Sequence, residues 1–92
     1  MRTGWYVYLA RCRDGSLYSG ATTDPEKRIA AHNRGRGGAY TRSRRPVALV
    51  YLEPAASRSA ALKREAALKR LPRARKLELI APRKRTTKRA LD

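Results

Sequence analysis

Five side chains that suit phosphodiester chemistry follow one another along this sequence. They are Tyr8, Tyr18, Arg28, His32 and Glu65. An arginine can bind a phosphate through two N–H groups and offset the charge that builds in a transition state. Phenol and imidazole groups can move protons, and a carboxylate can hold a divalent metal. The set indicates an enzyme that acts on nucleic-acid phosphates.

The charge of the chain supports the same partner. It has 92 residues, 23 of them Lys or Arg against 7 Asp or Glu, for a formal net charge of +16. An excess of this size favours a polyanion, and nucleic acid is commoner than an anionic membrane surface. A membrane is disfavoured because the basic residues are spread over loops rather than along one amphipathic helix. No run approaches the roughly 20 apolar residues of a membrane span. We expect nucleic acid, DNA in particular, as the partner, and no membrane contact.

Length and composition predict one small domain. The 41% apolar share is enough for one modest core. The single cysteine cannot form an internal disulfide, and one cysteine with one histidine does not support a zinc cluster. The first residues lack a long apolar segment before a cleavage site, so no signal peptide is predicted. We expect a reduced, cytoplasmic, nucleoid-associated protein.

The first half of the chain contains the elements that must position the early residues of the set. Residues 5–12 are rich in aromatic and β-branched side chains at both parities, which predicts a strand buried on both faces. The Asp-Gly pair at 14–15 predicts a turn into an antiparallel strand over 17–22. Asp24, followed by proline, predicts a helix N-terminus, and that helix is expected to end near Asn33.

The second half completes a β-β-α-β-α-α order. The predicted segments are a basic loop over 34–46, a strand over 47–52 closed by Glu53-Pro54, a helix from Ser57 or Ser59 to about Leu71, and a helix from Arg73 to about Ile80. This order predicts an α+β fold in which helices flank a small, mainly antiparallel sheet of three strands. We expect one domain over residues 1–81 and a basic, flexible tail over 82–92.

Short motifs around the five residues resemble those of the GIY-YIG nuclease family, in particular its small stand-alone bacterial members. The chain is also similar to the catalytic domain of a eukaryotic structure-specific junction endonuclease. Residues 6–8 (Tyr-Val-Tyr) stand where the family has Gly-Ile-Tyr, and residues 18–20 (Tyr-Ser-Gly) stand where it has Tyr-Ile-Gly. Further matches are Arg28 at the spacing of the catalytic arginine, a His-Asn element at 32–33, a linker at 37–41, and Glu65 at the metal-binding glutamate. The resemblance covers roughly residues 4–80, with Tyr6 replacing a glycine and Ser19 an apolar residue.

The resemblance implies divalent-metal-dependent hydrolysis of a phosphodiester in DNA, with Mg²⁺ or Mn²⁺ as the cofactor. It implies that Glu65 binds the metal, that Arg28 is catalytic and that Tyr8 and Tyr18 act at the reacting water. We expect an endonuclease with some selectivity for DNA structure, working in DNA repair or processing. Substrate shape or a protein partner is expected to target it.

Glu65 also stands out without the resemblance. On the predicted helix it is the sole acid among basic residues, and it falls within the apolar stripe formed by Ala61, Leu62 and Leu68. An inward-facing carboxylate needs a cation, a hydrogen bond or neutralisation. A divalent metal meets that need, and an ion pair with Lys69 or with Arg28 is the alternative.

The two tyrosines lie on neighbouring predicted strands, so their hydroxyls can converge on one point. A phenol of unperturbed pKa near 10 is a poor base at neutral pH, but Arg28 and a metal would favour the phenolate. The sequence leaves open which tyrosine is the base; Tyr18 is favoured over Tyr8. Packing with a partner for the hydroxyl is the ordinary role of a buried tyrosine, and it suits Tyr6 and Tyr51.

Arg28 and His32 lie four residues apart, so they share one face of the predicted first helix. Arg28 is expected to bind the scissile phosphate. His32, the sole histidine, can donate to a phosphate or help protonate the leaving oxygen. A surface or capping histidine is the alternative.

The loop over 34–46 is predicted to follow the nucleic-acid backbone. Its candidate contact residues are Arg34, Arg36, Tyr40, Arg42, Arg44 and Arg45. The arginines suit phosphates and the tyrosine offers a ring for base stacking. Such contacts position a strand without reading its sequence; an ordinary solvated face is the alternative.

A second hypothesis for the whole chain is a non-catalytic module that binds DNA or RNA and retains the fold. The set of Tyr8, Tyr18, Arg28, His32 and Glu65 favours the enzyme. A module that only binds has no need of an inward-facing carboxylate beside a phosphate.

Overall fold

The computed structural model describes residues 4–80. Its elements are β1 (Trp5–Arg11), β2 (Leu17–Thr22), α1 (Pro25–Asn33), α2 (Ala39–Arg42), β3 (Ala48–Ala55), α3 (Arg58–Arg70) and α4 (Arg73–Ile80). The three strands form one antiparallel sheet in the order β2-β1-β3. The α+β class and the antiparallel sheet flanked by helices are therefore confirmed.

The central strand β1 is buried on both faces, as its apolar side chains at both parities predict. Val7 and Leu9 pack with Ala61 and Leu68 of α3 in one cluster. Tyr8 and its same-face neighbours pack in a second cluster, against residues that include Ile29 of α1 and Tyr18 of β2. Each face of the sheet thus has its own small core, and β1 contributes to both.

Local signals place the hairpin and both long helices where the sequence predicts them. In the turn, Gly15 adopts φ +88°, a conformation that glycine reaches without a Cβ clash. Asp24 caps α1 by accepting a hydrogen bond from the Lys27 amide at 3.1 Å. Ser57 caps α3 in the same way, accepting from the Ala60 amide at 3.1 Å. Each cap satisfies an amide that the first helical turn leaves unpaired.

One ion pair fixes α3 against the edge strand β3. Arg64 donates from Nε to Glu53 Oε2 at 2.8 Å and from a terminal nitrogen to Oε1 at 3.2 Å. The Tyr51 hydroxyl donates to the same carboxylate. Burial raises the pKa of Glu53, but these hydrogen bonds outweigh it and leave the pKa below its ordinary value. Because Arg64 precedes Glu65, this contact also fixes the rotation of α3 beside the candidate metal residue.

The structure differs from the sequence prediction in three places. The basic loop contains a short helical turn, α2, held by the Arg42 amide on the Gly38 carbonyl at 3.0 Å. Strand β3 runs past Leu52 to Ala55, because Pro54 is tolerated on an edge strand where its missing N–H removes no obligatory bond. Leu62 is 40% exposed, so it lies outside the apolar stripe of α3.

The predicted flexible tail over 82–92 lies outside the described residues, and so does the boundary proposed after residue 81. Within residues 4–80, none of the helices is long and apolar enough to cross a membrane.

Two leucines of α3 give a matched test of this packing. Leu68 is fully buried, whereas Leu62 is 40% exposed. We expect Leu68→Ala to lower the free energy of unfolding by about 2–5 kcal/mol, because it leaves a cavity under the sheet. Leu62→Ala should change it by less than about 0.5 kcal/mol. Denaturant unfolding of both variants measures the difference; equal losses would contradict the assigned rotation of α3.

Candidate active site

The phenol ring of Tyr8 packs against Gly20 of the neighbouring strand β2. Tyr8 is opposite Gly20 in the β1–β2 register. A Cβ at Gly20 would lie 2.8 Å from Tyr8 Cε2, closer than real carbon contacts, and closer still to the hydroxyl end. Gly20 therefore leaves the space in which the ring lies. Only 1% of Tyr8 is exposed.

A chain of hydrogen bonds leads from Tyr8 into α1 and α2. The Tyr8 hydroxyl lies 3.0 Å from His32 Nε2, and His32 Nδ1 lies 2.9 Å from Thr41 Oγ1. Thr41 Oγ1 also lies 3.5 Å from the Gly38 carbonyl, to which its hydroxyl can donate. This favours the tautomer in which Nδ1–H donates to Thr41. His32 Nε2 then accepts a hydrogen bond from the Tyr8 hydroxyl.

The His32 ring is fully enclosed. It is 0% exposed, and a Cβ at Gly37 would lie 2.6 Å from its Cγ. With both nitrogens engaged, His32 does not contact a phosphate directly in this conformation, unlike the sequence-based expectation. Burial, and secondarily the Arg28 charge, lowers the pKa of His32 below 6.5, which keeps the imidazole neutral. His32 therefore contacts the hydroxyl of Tyr8 from within the protein interior.

The loop over 34–46 is closed by Asn33. Its amide side chain accepts from the Val47 N–H at 2.7 Å and donates to the Val47 carbonyl at 3.0 Å. This pair of bonds joins the end of α1 to the start of β3 in the way that a strand partner would. The closed loop holds Thr41 against His32.

Tyr18 begins a stack of side chains that continues through Tyr40 and Arg44 to Asp14 in the hairpin turn. Its ring lies 5.3 Å from the His32 ring, edge to face, and 5.8 Å from the nearly parallel ring of Tyr40. The Arg44 guanidinium covers Tyr40 at 3.9 Å from the ring centroid, and Asp14 accepts from Arg44 Nε at 3.1 Å. Tyr40 is nevertheless 41% exposed, so it supports Tyr18 while its contact with a base stays a prediction.

Arg28, Tyr18 and Glu65 all act electrostatically on the Tyr8 hydroxyl. Burial raises the pKa of Tyr8 above 10.0, hydrogen bonding by Arg28 opposes that rise, and the charges of Tyr18 and Glu65 add to it. The lowering by Arg28 agrees with expectation, but burial outweighs it. Tyr8 is consequently a neutral phenol at neutral pH. Of the other four predicted residues, His32 contacts this hydroxyl directly, and Arg28, Tyr18 and Glu65 act on it electrostatically.

Glu65 has little to compensate its charge within the protein. Its side chain is 20% exposed, and its one ion pair among the described residues is with Lys69, at 3.8 Å from Nζ to Oε2. An ion pair with Lys69 is one of the two alternatives that the sequence offers, but the contact is long and Lys69 is itself 60% exposed. Residues 4–80 contain no group of three or more His, Cys, Asp or Glu side chains able to hold a metal. A single carboxylate completed by water and substrate phosphate is a common arrangement for Mg²⁺, and Glu65 fits that arrangement.

The loop arginines divide into two groups. Arg44 is used in the stack, and Arg45 donates to the Arg42 carbonyl at 3.0 Å. Within the described part of the chain, the side chains of Arg34, Arg36 and Arg42 are exposed and make no hydrogen bond or ion pair. These three are the loop cations left available to a nucleic acid.

Thr41, Gly37 and Asp14 also belong to the site; of these three, the sequence predicts a role only for Asp14, in the hairpin turn. Gly37 and Thr41 lie within the linker motif at 37–41, which was the one available signal. The Asp14–Arg44 contact joins residues 30 positions apart, and no spacing rule reveals it.

Comparison with known proteins gives a consistent result. The GIY-YIG catalytic domain model matches residues 4–78. A UPF0213 protein of Staphylococcus haemolyticus is 51% identical over 78 residues, which cover 85% of this chain and 95% of the relative. A UPF0213 protein of Syntrophus aciditrophicus is 55% identical over 76 residues, covering 82% and 87%. The solution structure of a UPF0213 protein of Bacillus halodurans is similar with TM-score 0.54 and 40% identity, covering 92% of this chain and 95% of that one.

The buried neutral His32 predicts a pH dependence of stability. Its folded pKa lies below the 6.5 of an unfolded histidine. Its contribution is therefore complete above about pH 6.5 and is lost as pH falls through the lower folded pKa. We expect the free energy of unfolding to fall between about pH 6.5 and pH 5, and His32→Gln to remove that slope. Denaturant unfolding across this range and NMR titration of the sole imidazole test this. An imidazole pKa of 6.5 or higher in the folded protein would contradict it.

Proposed function

This chain belongs to the GIY-YIG family, and we propose that it is a divalent-metal-dependent endonuclease that hydrolyses phosphodiester bonds in DNA. One observation carries the proposal: the hydroxyl of Tyr8 lies 3.0 Å from His32 Nε2, and Arg28, Tyr18 and Glu65 lie close enough to act on it electrostatically. A cation for the phosphate, a carboxylate for a metal and a phenol with a proton acceptor behind it are the parts that phosphodiester hydrolysis needs.

Tyr8 is the better candidate for the general base. Tyr18 has ring contacts with His32 and Tyr40, but only Tyr8 has a hydrogen bond from its hydroxyl to an imidazole nitrogen. A neutral phenol can accept the proton of an attacking water while it passes its own proton to His32 Nε2. This transfer avoids a free phenolate, which the burial of Tyr8 disfavours. His32 thereby acts through Tyr8 and is a positioning and relay residue.

Arg28 is proposed to bind the scissile phosphate. It lies beside the Tyr8 hydroxyl, where the attacking water would be deprotonated. A guanidinium there offsets the negative charge that develops on the phosphoryl oxygens.

Glu65 is proposed to hold Mg²⁺ or Mn²⁺ together with water and substrate oxygens. Such an ion would supply charge to the phosphate and to the leaving oxygen. Lys69, 3.8 Å from the carboxylate, is exposed and can move aside when the site is loaded.

The net charge of +16 supplies affinity rather than sequence preference. The side chains of Arg34, Arg36 and Arg42, which have no hydrogen bond or ion pair within residues 4–80, are proposed to contact phosphates along the bound strand. Selectivity for DNA structure, a role in DNA repair or processing, a targeting partner and a cytoplasmic, nucleoid-associated location remain parts of this proposal.

Glu65 has a matched control on the next helix. Glu78 is an exposed glutamate that pairs with Arg75. We expect Glu65→Gln to abolish Mg²⁺-dependent nicking while DNA binding is kept, because the substitution removes the metal ligand and one charge among many. Glu78→Gln should leave nicking unchanged. Nicking assays with linear, nicked and branched DNA, with and without Mg²⁺ or Mn²⁺, are read beside a binding titration. Binding without cleavage by the unaltered protein on every substrate would favour the non-catalytic module.

The two tyrosines can be separated by removing one hydroxyl at a time. We expect Tyr8→Phe to lower the single-turnover rate by about 10²-fold or more, the scale of general acid–base catalysis. Tyr18→Phe should cost less, because its ring contacts remain. Unfolding measurements establish that both variants are folded. A larger loss in Tyr18→Phe would assign the base to Tyr18.

A further inference from the structure

The imidazole of His32 has a second contact, on the nitrogen that does not contact Tyr8. Its Nδ1 lies 2.9 Å from Thr41 Oγ1, and both His32 and Thr41 are 0% exposed. A hydroxyl enclosed in this way does not contact a bound DNA strand. Any effect of Thr41 on the reaction must therefore act through His32.

The proton transfer proposed for Tyr8 sets a strict requirement on His32. Nε2 must carry a lone pair, because an Nε2–H would donate to the Tyr8 oxygen and could not accept the phenol proton. In water, however, a neutral histidine carries its proton mainly on Nε2. The site thus needs the less favoured tautomer, and the hydrogen bond made by the other ring nitrogen sets which tautomer is present.

Thr41 can hold the proton on Nδ1 because its own hydroxyl proton has a different acceptor. The Gly38 carbonyl lies 3.5 Å from Thr41 Oγ1. A hydroxyl that donates to this carbonyl keeps its lone pairs for the Nδ1–H of His32. Arg28 gives a second reason, because it forms a hydrogen bond with Tyr8 and a guanidinium can only donate. With Arg28 donating to the phenol oxygen, the Tyr8 proton is directed to Nε2.

The backbone of α2 fixes the position of Thr41. The Arg42 amide donates to the Gly38 carbonyl at 3.0 Å, and the Arg44 amide donates to the Thr41 carbonyl at 3.0 Å. The Gly38 carbonyl has a second lone pair for the Thr41 hydroxyl. A Cβ at Gly37 would lie 2.6 Å from the imidazole Cγ, so this segment is packed tightly against the ring. Thr41 is consequently held at Nδ1.

We propose that Thr41 is a positioning residue: it accepts a hydrogen bond from the Nδ1–H of His32 and thereby leaves Nε2 free to take the Tyr8 proton. As the water oxygen attacks phosphorus, one of its protons passes to the Tyr8 oxygen, the Tyr8 O–H bond breaks and an Nε2–H bond forms. His32 becomes an imidazolium whose Nδ1–H still donates to Thr41, so the contact needs no rearrangement. The inference rests on the proposed endonuclease function, because it assigns Thr41 a task in that reaction.

The tautomer can be measured without DNA, so that the two proposals can fail separately. Imidazole ¹⁵N chemical shifts distinguish a protonated ring nitrogen from one with a lone pair, and the chain has a single histidine. At about pH 7.5, where the imidazole is neutral, we expect the proton on Nδ1 in the unaltered chain and in Thr41→Ser. Thr41→Val keeps the shape but cannot accept a hydrogen bond, and it should move the proton towards Nε2. A proton on Nε2 in the unaltered chain, or an unchanged tautomer in Thr41→Val, would overturn the inference.

Single-turnover cleavage completes the test. Thr41→Val should lower the rate by about 10-fold or more with DNA affinity unchanged, and Thr41→Ser should keep most of the rate. Thr23→Val makes the same change at an exposed position and should alter neither quantity. Denaturant unfolding establishes that each variant is folded.

The outcomes separate a positioning role from a structural one. An unchanged rate in Thr41→Val, or equal losses in Thr41→Val and Thr41→Ser, would overturn the inference. A tautomer that depends on Thr41 in a chain that cleaves no DNA would uphold the assignment of Thr41 and overturn the endonuclease.

Discussion

The hydrogen bond between the Tyr8 hydroxyl and His32 Nε2 is the contact on which the rest of the structure depends. It needs Gly20 below the phenol and Gly37 against the imidazole, because a Cβ at either position would occupy the space of a ring. It also needs the turn of helix that carries Thr41 to the second imidazole nitrogen. The register of β1 and β2, the length of α1 and the path of the basic loop are all constrained by this one buried contact.

Local features of this chain were predictable because they depend on neighbours in sequence. Asp24 and Ser57 cap helices through amides three residues away, and the Asp-Gly turn is equally local. The apolar side chains on both faces of β1 indicate that it is the central strand. The burial of His32 was not predictable, because its partners come from another strand and from a helical turn that no periodicity marks. The contacts of Tyr40 were not predictable for a related reason: Tyr18 comes from another strand, and Arg44 is held in place by Asp14 of the hairpin turn.

The same limit applies to the cations. Sequence counts 23 basic residues, but only the fold distinguishes those with internal partners from those left for a polyanion. Asp14 holds Arg44 in the stack under Tyr18, and Glu53 holds Arg64 between β3 and α3. These two arginines maintain the geometry of the site. In so basic a chain, ion pairs with a few carboxylates thus distinguish the arginines that stabilise the fold from those that remain exposed to solvent.

The position of the two tyrosines in the sheet has a dynamic consequence. Tyr8 is on the central strand, paired on both sides, whereas Tyr18 and Ser19 are on an edge strand paired on one side only. Edge strands open at lower free energy than central ones, and amide hydrogen exchange reports this difference. Local opening of β2 would release Tyr18 and Ser19 while the Tyr8–His32 bond stays closed. The fold therefore combines a rigid Tyr8–His32 pair on the central strand with an adjoining edge strand that can loosen and re-form.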